Sequence, residues 1–187
     1  MLSVCLDIDG VVLDFNKGLQ DYLKQKGYDF KPEECTDYNY RNVKLDFDAS
    51  IIYDAMKDIN LYNCMTIKPR ALEAIDLLKR HCKVYGYTAS VDVPEIIDKR
   101  SRLLSDLGID GRVIVGDKPV IPNVDALFDD CLDVHRVWFK AKTKTKQYLI
   151  NAPYNQLDES KDFDLATVIM RSTDLYSAVN DFLQGVI

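Results

Sequence analysis

The sequence predicts an α/β fold, a Rossmann-like and mostly parallel sheet with helices on both faces. Three observations carry that prediction. Short β-branched apolar runs alternate along the chain with segments of helical periodicity, which is the pattern of strands joined by crossover helices. Several of the apolar runs end on a carboxylate or a hydroxyl, as strands do when their carboxyl ends meet a ligand crevice. The chain has 187 residues, 47% of them hydrophobic and 29% charged, enough for one such sheet with a small insertion.

The elements follow in order. Residues 2–7 read as a buried strand. Residues 14–28 place Phe15, Leu19, Tyr22 and Leu23 at helical spacing, with Gly27 as a stop. Residues 28–48 are rich in Asp, Asn and Tyr without clear periodicity, and 49–58 form a short helix. Pro69 opens a helix with Leu72, Ile75 and Leu78 on one face. Residues 83–88 are a strand, and 94–107 a helix with Ile96, Arg100, Leu103 and Leu107 along one face, capped by Gly108. Strands at 112–115 and 124–128, a helix at 133–139, strands at 147–150 and 166–170, and a closing helix at 174–183 complete the chain.

Composition excludes several functions. The net charge is −6, which argues against duplex nucleic acid as a partner. No apolar run is long enough to cross a bilayer, and the start lacks a basic n-region, so no membrane partner and a cytoplasmic location are expected. The five cysteines stand singly, without a C-x-x-C pair, and read as small buried hydrophobes in a reducing compartment. Oligomeric state is left open, a homodimer included.

Four clusters carry chemistry. Asp7-Ile8-Asp9-Gly10 follows the first strand; two acids two residues apart on an extended backbone point the same way, and the glycine permits a sharp turn. A calcium loop would need glycine sixth and an acid twelfth, where Val12 and Gly18 stand. Thr88, Ala89 and Ser90 end a strand ahead of a helix, where a hydroxyl and free N–H groups form either a phosphate cradle or an ordinary helix cap. Lys118, in a loop, is a point charge for a phosphoryl oxygen, or merely solvated. Asp129 and Asp130 end a further strand. Four carboxylates gathered at strand ends of one sheet need a cation, and an all-oxygen donor set favours Mg²⁺. His81 and His135 lie on expected helices and read as surface residues.

Asp7/Asp9, Thr88, Lys118 and Asp129/Asp130, in that order, resemble the four motifs of the haloacid dehalogenase-like hydrolase superfamily. Within it the chain is most similar to the 5′(3′)-deoxyribonucleotidases, on residues 7–15, Asp37 with Tyr38, Asp117 with Lys118, residues 127–130 and Pro153-Tyr154-Asn155. The similarity covers roughly residues 1–155 and is dense only at the motifs. The resemblance implies a Mg²⁺-dependent phosphatase acting on a small-molecule phosphate, a nucleoside monophosphate first and a sugar phosphate as the alternative. A catalytically silent phosphate-binding module is the reading from another class. Asp7 would attack phosphorus to form an aspartyl-phosphate, and Asp9 would protonate the leaving oxygen and later deprotonate water. Asp7, the Asp9 backbone carbonyl, Asp129 and Asp130 would hold Mg²⁺, while Thr88, the Ala89 N–H and Lys118 would hold the phosphoryl oxygens. Residues 1–15 and 69–187 would form the catalytic core and 16–68 a small helical cap, and Phe15, just before the cap, would contact the base. Arg41 and Lys44 stand within reach of a substrate without motif support. Ala89 replaces a hydroxyl residue common in the family, and the stretch 119–123 is longer than the family's usual link.

Overall fold

A computed structural model describes residues 1–36, 38, 40, 45–158 and 161–186; Asp37, Arg41 and Lys44 lie outside the described residues. The strands are β1 (Leu2–Leu6), β2 (Cys82–Ser90), β3 (Asp110–Val115), β4 (Ala126–Asp129), β5 (Lys146–Ile150) and β6 (Ile169–Ser172). The helices are α1 (Phe15–Gln25), α2 (Ser50–Ala55), α3 (Leu61–Cys64), α4 (Ala71–His81), α5 (Pro94–Asp106), α6 (Leu132–Lys140), α7 (Phe163–Ala166) and α8 (Leu175–Gln184), with a 3₁₀ turn at Pro32–Glu34. The strands pair in the order β3-β2-β1-β4-β5-β6, every pair parallel.

Period-two alternation decides which helices cover which face. Val4 and Leu6 of β1, Ala126 and Phe128 of β4, and Tyr148 and Ile150 of β5 share one cluster with Ala74, Ile75 and Leu78 of α4 and Val179 and Phe182 of α8. Their alternate neighbours face the other way: Cys5 and Leu127 pack with Trp138 of α6, and Leu149 packs with Leu165 of α7. A further cluster of Leu19, Tyr22, Leu23, Phe30, Ile52 and Leu61 unites α1, α2 and α3. This segment leaves the sheet layer and rejoins it at one place: Asp14 N–H donates to the Thr66 carbonyl (2.8 Å), and Lys68 N–H to the Val12 carbonyl (2.8 Å).

Three expectations are corrected. Leu72 is 49% exposed, because the inward stripe of α4 is Ala71, Ala74, Ile75 and Leu78. In α5 the buried positions are Ile96, Arg100 and Leu104, while Leu103 and Leu107 are only partly covered. The strand expected at 166–170 begins later, at Ile169, because 163–166 is the helical turn α7, whose Leu165 is buried among Leu132 and Leu149. No described helix is long and apolar enough to cross a membrane.

Candidate active site

In this strand order the connections leaving β1 and β4 run in opposite directions across the sheet, so a crevice opens beyond their carboxyl ends. Asp7 stands directly after β1 and Asp129 ends β4. Each backbone is anchored there: Asp7 N–H donates to the Phe128 carbonyl (2.9 Å), and Asp129 Oδ1 accepts from Cys131 N–H (2.8 Å). Asp7, Asp129 and Asp130 each bring a carboxylate oxygen within 4.8 Å of the others, and all three residues are buried. Gly10 makes this approach possible. Its φ is +73°, and a Cβ there would collide with the Asp130 carboxylate.

Lys118 bridges the group, with Nζ 2.7 Å from Asp7 Oδ2 and 2.8 Å from Asp129 Oδ2. Burial opposes its charge, but Asp129 and Asp7 outweigh burial and raise its pKa. The loop after it is held by packing: the Tyr87 hydroxyl donates to the Pro119 carbonyl, and Val120 and Ile121 lie against the Tyr87–Trp138 cluster. The long 119–123 stretch therefore delivers Lys118 from a fixed base.

The carboxyl groups are electrostatically crowded. Burial pushes the Asp7 pKa up to about 6, with Asp129 raising it further and Lys118 pulling it down. Burial, then Asp7 and Asp129, hold the Asp130 pKa well above the usual carboxylate range. Asp130 accepts a hydrogen bond from the Tyr154 hydroxyl, and fully buried Asn155 donates Nδ2 to the Asp130 (2.9 Å) and Ile150 (2.7 Å) carbonyls. Three buried acids thus stand together, two of them paired with one ammonium, an all-oxygen donor set suited to a hard metal ion.

The Asp9 carboxylate does not join that trio. It forms a two-pronged ion pair with Arg100, Nη1 lying 3.1 Å from Oδ1. Burial pushes the Asp9 pKa up to about 6, Arg100 working against it and Asp7 with it. Thr88 and Ala89 end β2, where Arg100 Nη2 donates to Thr88 Oγ1 (2.8 Å) and to the Ala89 carbonyl (2.7 Å). The structure thus gathers Asp7, Asp9, Thr88, Ala89, Lys118, Asp129 and Asp130 around one crevice. Above it a cavity of about 250 Å³ has Asp9 and Asp130 in its lining, together with Phe15, Tyr38, Tyr40, Tyr53, Tyr62 and Tyr154.

Sequence reasoning passed over Arg100, Tyr154 as a partner of Asp130, and His135. His135 is corrected outright: expected at the surface, it is fully buried on α6, with Nε2 3.1 Å from the Asp129 carbonyl oxygen and Nδ1 3.0 Å from the Gln147 side-chain amide. Burial lowers its pKa to about 4, so the ring is neutral at neutral pH. His81 is exposed.

No protein-family model matches the sequence, and no curated protein does either. Solved structures do match. A protein provisionally named a beta-phosphoglucomutase from Bacteroides vulgatus aligns over 99% of this chain and 89% of its own, at 14% identity and a TM-score of 0.57. The fold is that of haloacid dehalogenase-like hydrolases. A haloacid dehalogenase-like hydrolase from Streptococcus pneumoniae aligns over 97% of this chain and 98% of its own (12% identity, TM-score 0.55). A protein provisionally named a phosphoglycolate phosphatase from Lactobacillus plantarum aligns over 98% and 99% (14% identity, TM-score 0.57).

Proposed function

We propose that the protein is a cytoplasmic, Mg²⁺-dependent phosphoric monoester hydrolase acting on nucleoside monophosphates through an aspartyl-phosphate. The observation that carries the reading is the meeting of Asp7, Asp129, Asp130 and Lys118 at the crevice beyond β1 and β4, beneath an aromatic cavity. Three carboxylates against one ammonium leave negative charge that a divalent cation would balance, and oxygen ligands fit Mg²⁺. Asp7, Asp129, Asp130 and the Asp9 backbone carbonyl would hold it, and when bound it neutralises charge on the phosphoryl group.

The chain's own groups do the rest. Asp7, paired with the Lys118 ammonium at 2.7 Å, attacks phosphorus as the ester P–O bond breaks. Asp9, whose protonated form burial favours, gives its proton to the leaving oxygen. It then takes a proton from the water that attacks the phosphoryl-enzyme, which releases phosphate and restores Asp7. Thr88, the Ala89 N–H and Lys118 bind the phosphoryl oxygens, and charge neutralisation there is the main demand of phosphoryl transfer.

Residues 16–68 act as the cap over a core of 1–15 and 69–187. The cavity's size suits a small molecule, and its rings favour a planar group on the ester, with Phe15 stacking a base. Another small phosphate ester, such as a sugar phosphate, is the second reading, favoured by the names of the structural neighbours, a phosphoglucomutase and a phosphoglycolate phosphatase.

Phosphate release from mononucleotides, sugar phosphates and an aryl phosphate, with and without Mg²⁺, tests the reading. Mg²⁺-dependent turnover of a mononucleotide is expected. Turnover of sugar phosphates alone would move the substrate to the second reading, and release from no ester would leave a silent binding module. Asp7→Asn is nearly isosteric, so it should abolish turnover while melting like the wild type. Substantial residual activity in that variant would sink the nucleophile assignment.

A further inference from the structure

Arg100 belongs to no motif, yet it is 4% exposed and turned from α5 toward the crevice residues. Its guanidinium pairs with both Asp9 oxygens and donates to Thr88 Oγ1 and the Ala89 carbonyl. The Tyr62 ring lies 5.2 Å from the guanidinium carbon, and Nε is buried with no hydrogen-bond partner among the described residues. Burying an arginine–carboxylate pair adds little net stability, since desolvation cancels most of the attraction. Stability is therefore a poor reason for Arg100 to be here.

We propose that Arg100 is a positioning residue that fixes the Asp9 carboxylate and turns the Thr88 hydroxyl so that its proton faces the phosphate ester. The inference rests on the phosphatase reading above. A threonine hydroxyl has one proton and two lone pairs, whereas a guanidinium only donates. Arg100 Nη2 directs one N–H to Asp9 and shares the other between Thr88 Oγ1 (2.8 Å) and the Ala89 carbonyl, so the Thr88 lone pair faces the guanidinium and its hydroxyl proton points elsewhere. Its one protein acceptor among the described residues is the Ala89 carbonyl, at 3.4 Å. That carbonyl already accepts from Arg100 at 2.7 Å. The hydroxyl is thus a donor with a poor acceptor, joined to Asp9 through Arg100 and next in the chain to Ala89, which lines the cavity, and a phosphoryl oxygen supplies a better one. The planar fork matters as well. It holds two carboxylate oxygens and a hydroxyl at once, which the point charge of a lysine does not.

The test uses Arg100→Lys, Arg100→Gln, Thr88→Ala and the Arg100→Gln/Thr88→Ala double variant in the full chain. Its readouts are kcat and KM on the best ester, orthovanadate affinity by calorimetry in Mg²⁺, and melting temperature. Both Arg100 variants should lose about a hundredfold in kcat, the scale of a misplaced catalytic group, with a smaller change in KM. Arg100→Gln should weaken vanadate about tenfold, one hydrogen bond's worth, but cause no further loss once Thr88 is alanine. A folded Arg100→Lys with wild-type kcat would overturn the proposal, as would vanadate losses that simply multiply in the double variant. If Arg100→Gln fails to fold, Arg100→Lys decides through kcat and Arg100→Met takes Gln's place in the vanadate cycle. A wild type that hydrolyses no ester and binds no vanadate would instead refute the phosphatase reading beneath it, whereas an active wild type with indifferent variants would refute this inference alone.

Discussion

The His135 ring of α6 lies over the paired strands β4 and β5, one nitrogen on the Asp129 carbonyl and the other on the Gln147 amide. A neutral ring has one N–H, and a carbonyl only accepts, so Nε2 carries the proton, and Nδ1 is satisfied when the Gln147 amide, whose Oε1 stands at 3.0 Å, turns its NH₂ to the ring. The ring thereby fixes the backbone that aims Asp129 at the crevice. His135→Leu would leave both partners unsatisfied in the interior. It should lower stability by about 1–3 kcal/mol, read as a reduced urea midpoint with an unchanged slope. A midpoint within error of wild type would mean that the ring is replaceable filler. Residues such as His135 escape a sequence reading because their partners are remote. Arg100 meets Asp9 across 91 positions and Tyr154 meets Asp130 across 24, whereas Asp7 with Asp9, and Asp129 with Asp130, announce themselves by local spacing.

At the scale of elements, the boundaries that local chemistry marks were legible. Pro94 sits in the first turn of α5, Gly108 takes φ +63° just past its end, and Asp174 caps α8 by accepting from Ser177 N–H at 2.8 Å. The 163–170 region was not legible, because an apolar, β-branched run reads as a strand whether or not it is paired. Tertiary contacts decide it. Asp162, buried at the start of α7, receives a two-pronged bond from Arg136 of α6 at 2.8 and 2.7 Å, and its carbonyl accepts from Ala166 N–H at 2.7 Å. Arg136 holds the Asp162 pKa below the usual carboxylate value. A lowered carboxyl pKa means that the unfolded chain binds more protons, so this stabilisation is complete above pH ~4 and fades as pH falls through the folded-state pKa. Asp162→Asn should therefore cost about 1–3 kcal/mol at neutral pH, and its deficit against wild type should shrink on acidification below that point. Denaturant titrations at several pH values check this, and a deficit that stays constant with pH would remove the ion pair from the account.

For the whole molecule, the parallel order of the strands sends β1 and β4 to one crevice and gathers their acids there. A sequence reading reaches that arrangement because it needs only strand order and the residues that end strands. The aromatic cavity is less legible, since α1, α2 and α3 meet through side chains without a strong repeat. If the three acids hold Mg²⁺, the ion binds the folded chain only. Saturating Mg²⁺ at about a hundred times its Kd should then stabilise the fold by roughly 2.7 kcal/mol, visible as a higher melting temperature. Asp129→Ala should abolish the Mg²⁺-induced rise, and an undiminished rise in that variant would place the ion elsewhere.

The seam where Asp14 meets Thr66 and Lys68 meets Val12 lies a few residues beyond Asp7, and Lys68 also reaches back to the Gly10 carbonyl. A polypeptide excursion that departs and returns through one doorway can be lengthened, shortened or exchanged without rerouting any strand. Selectivity is then free to drift in the upper storey while the machinery below keeps its reaction.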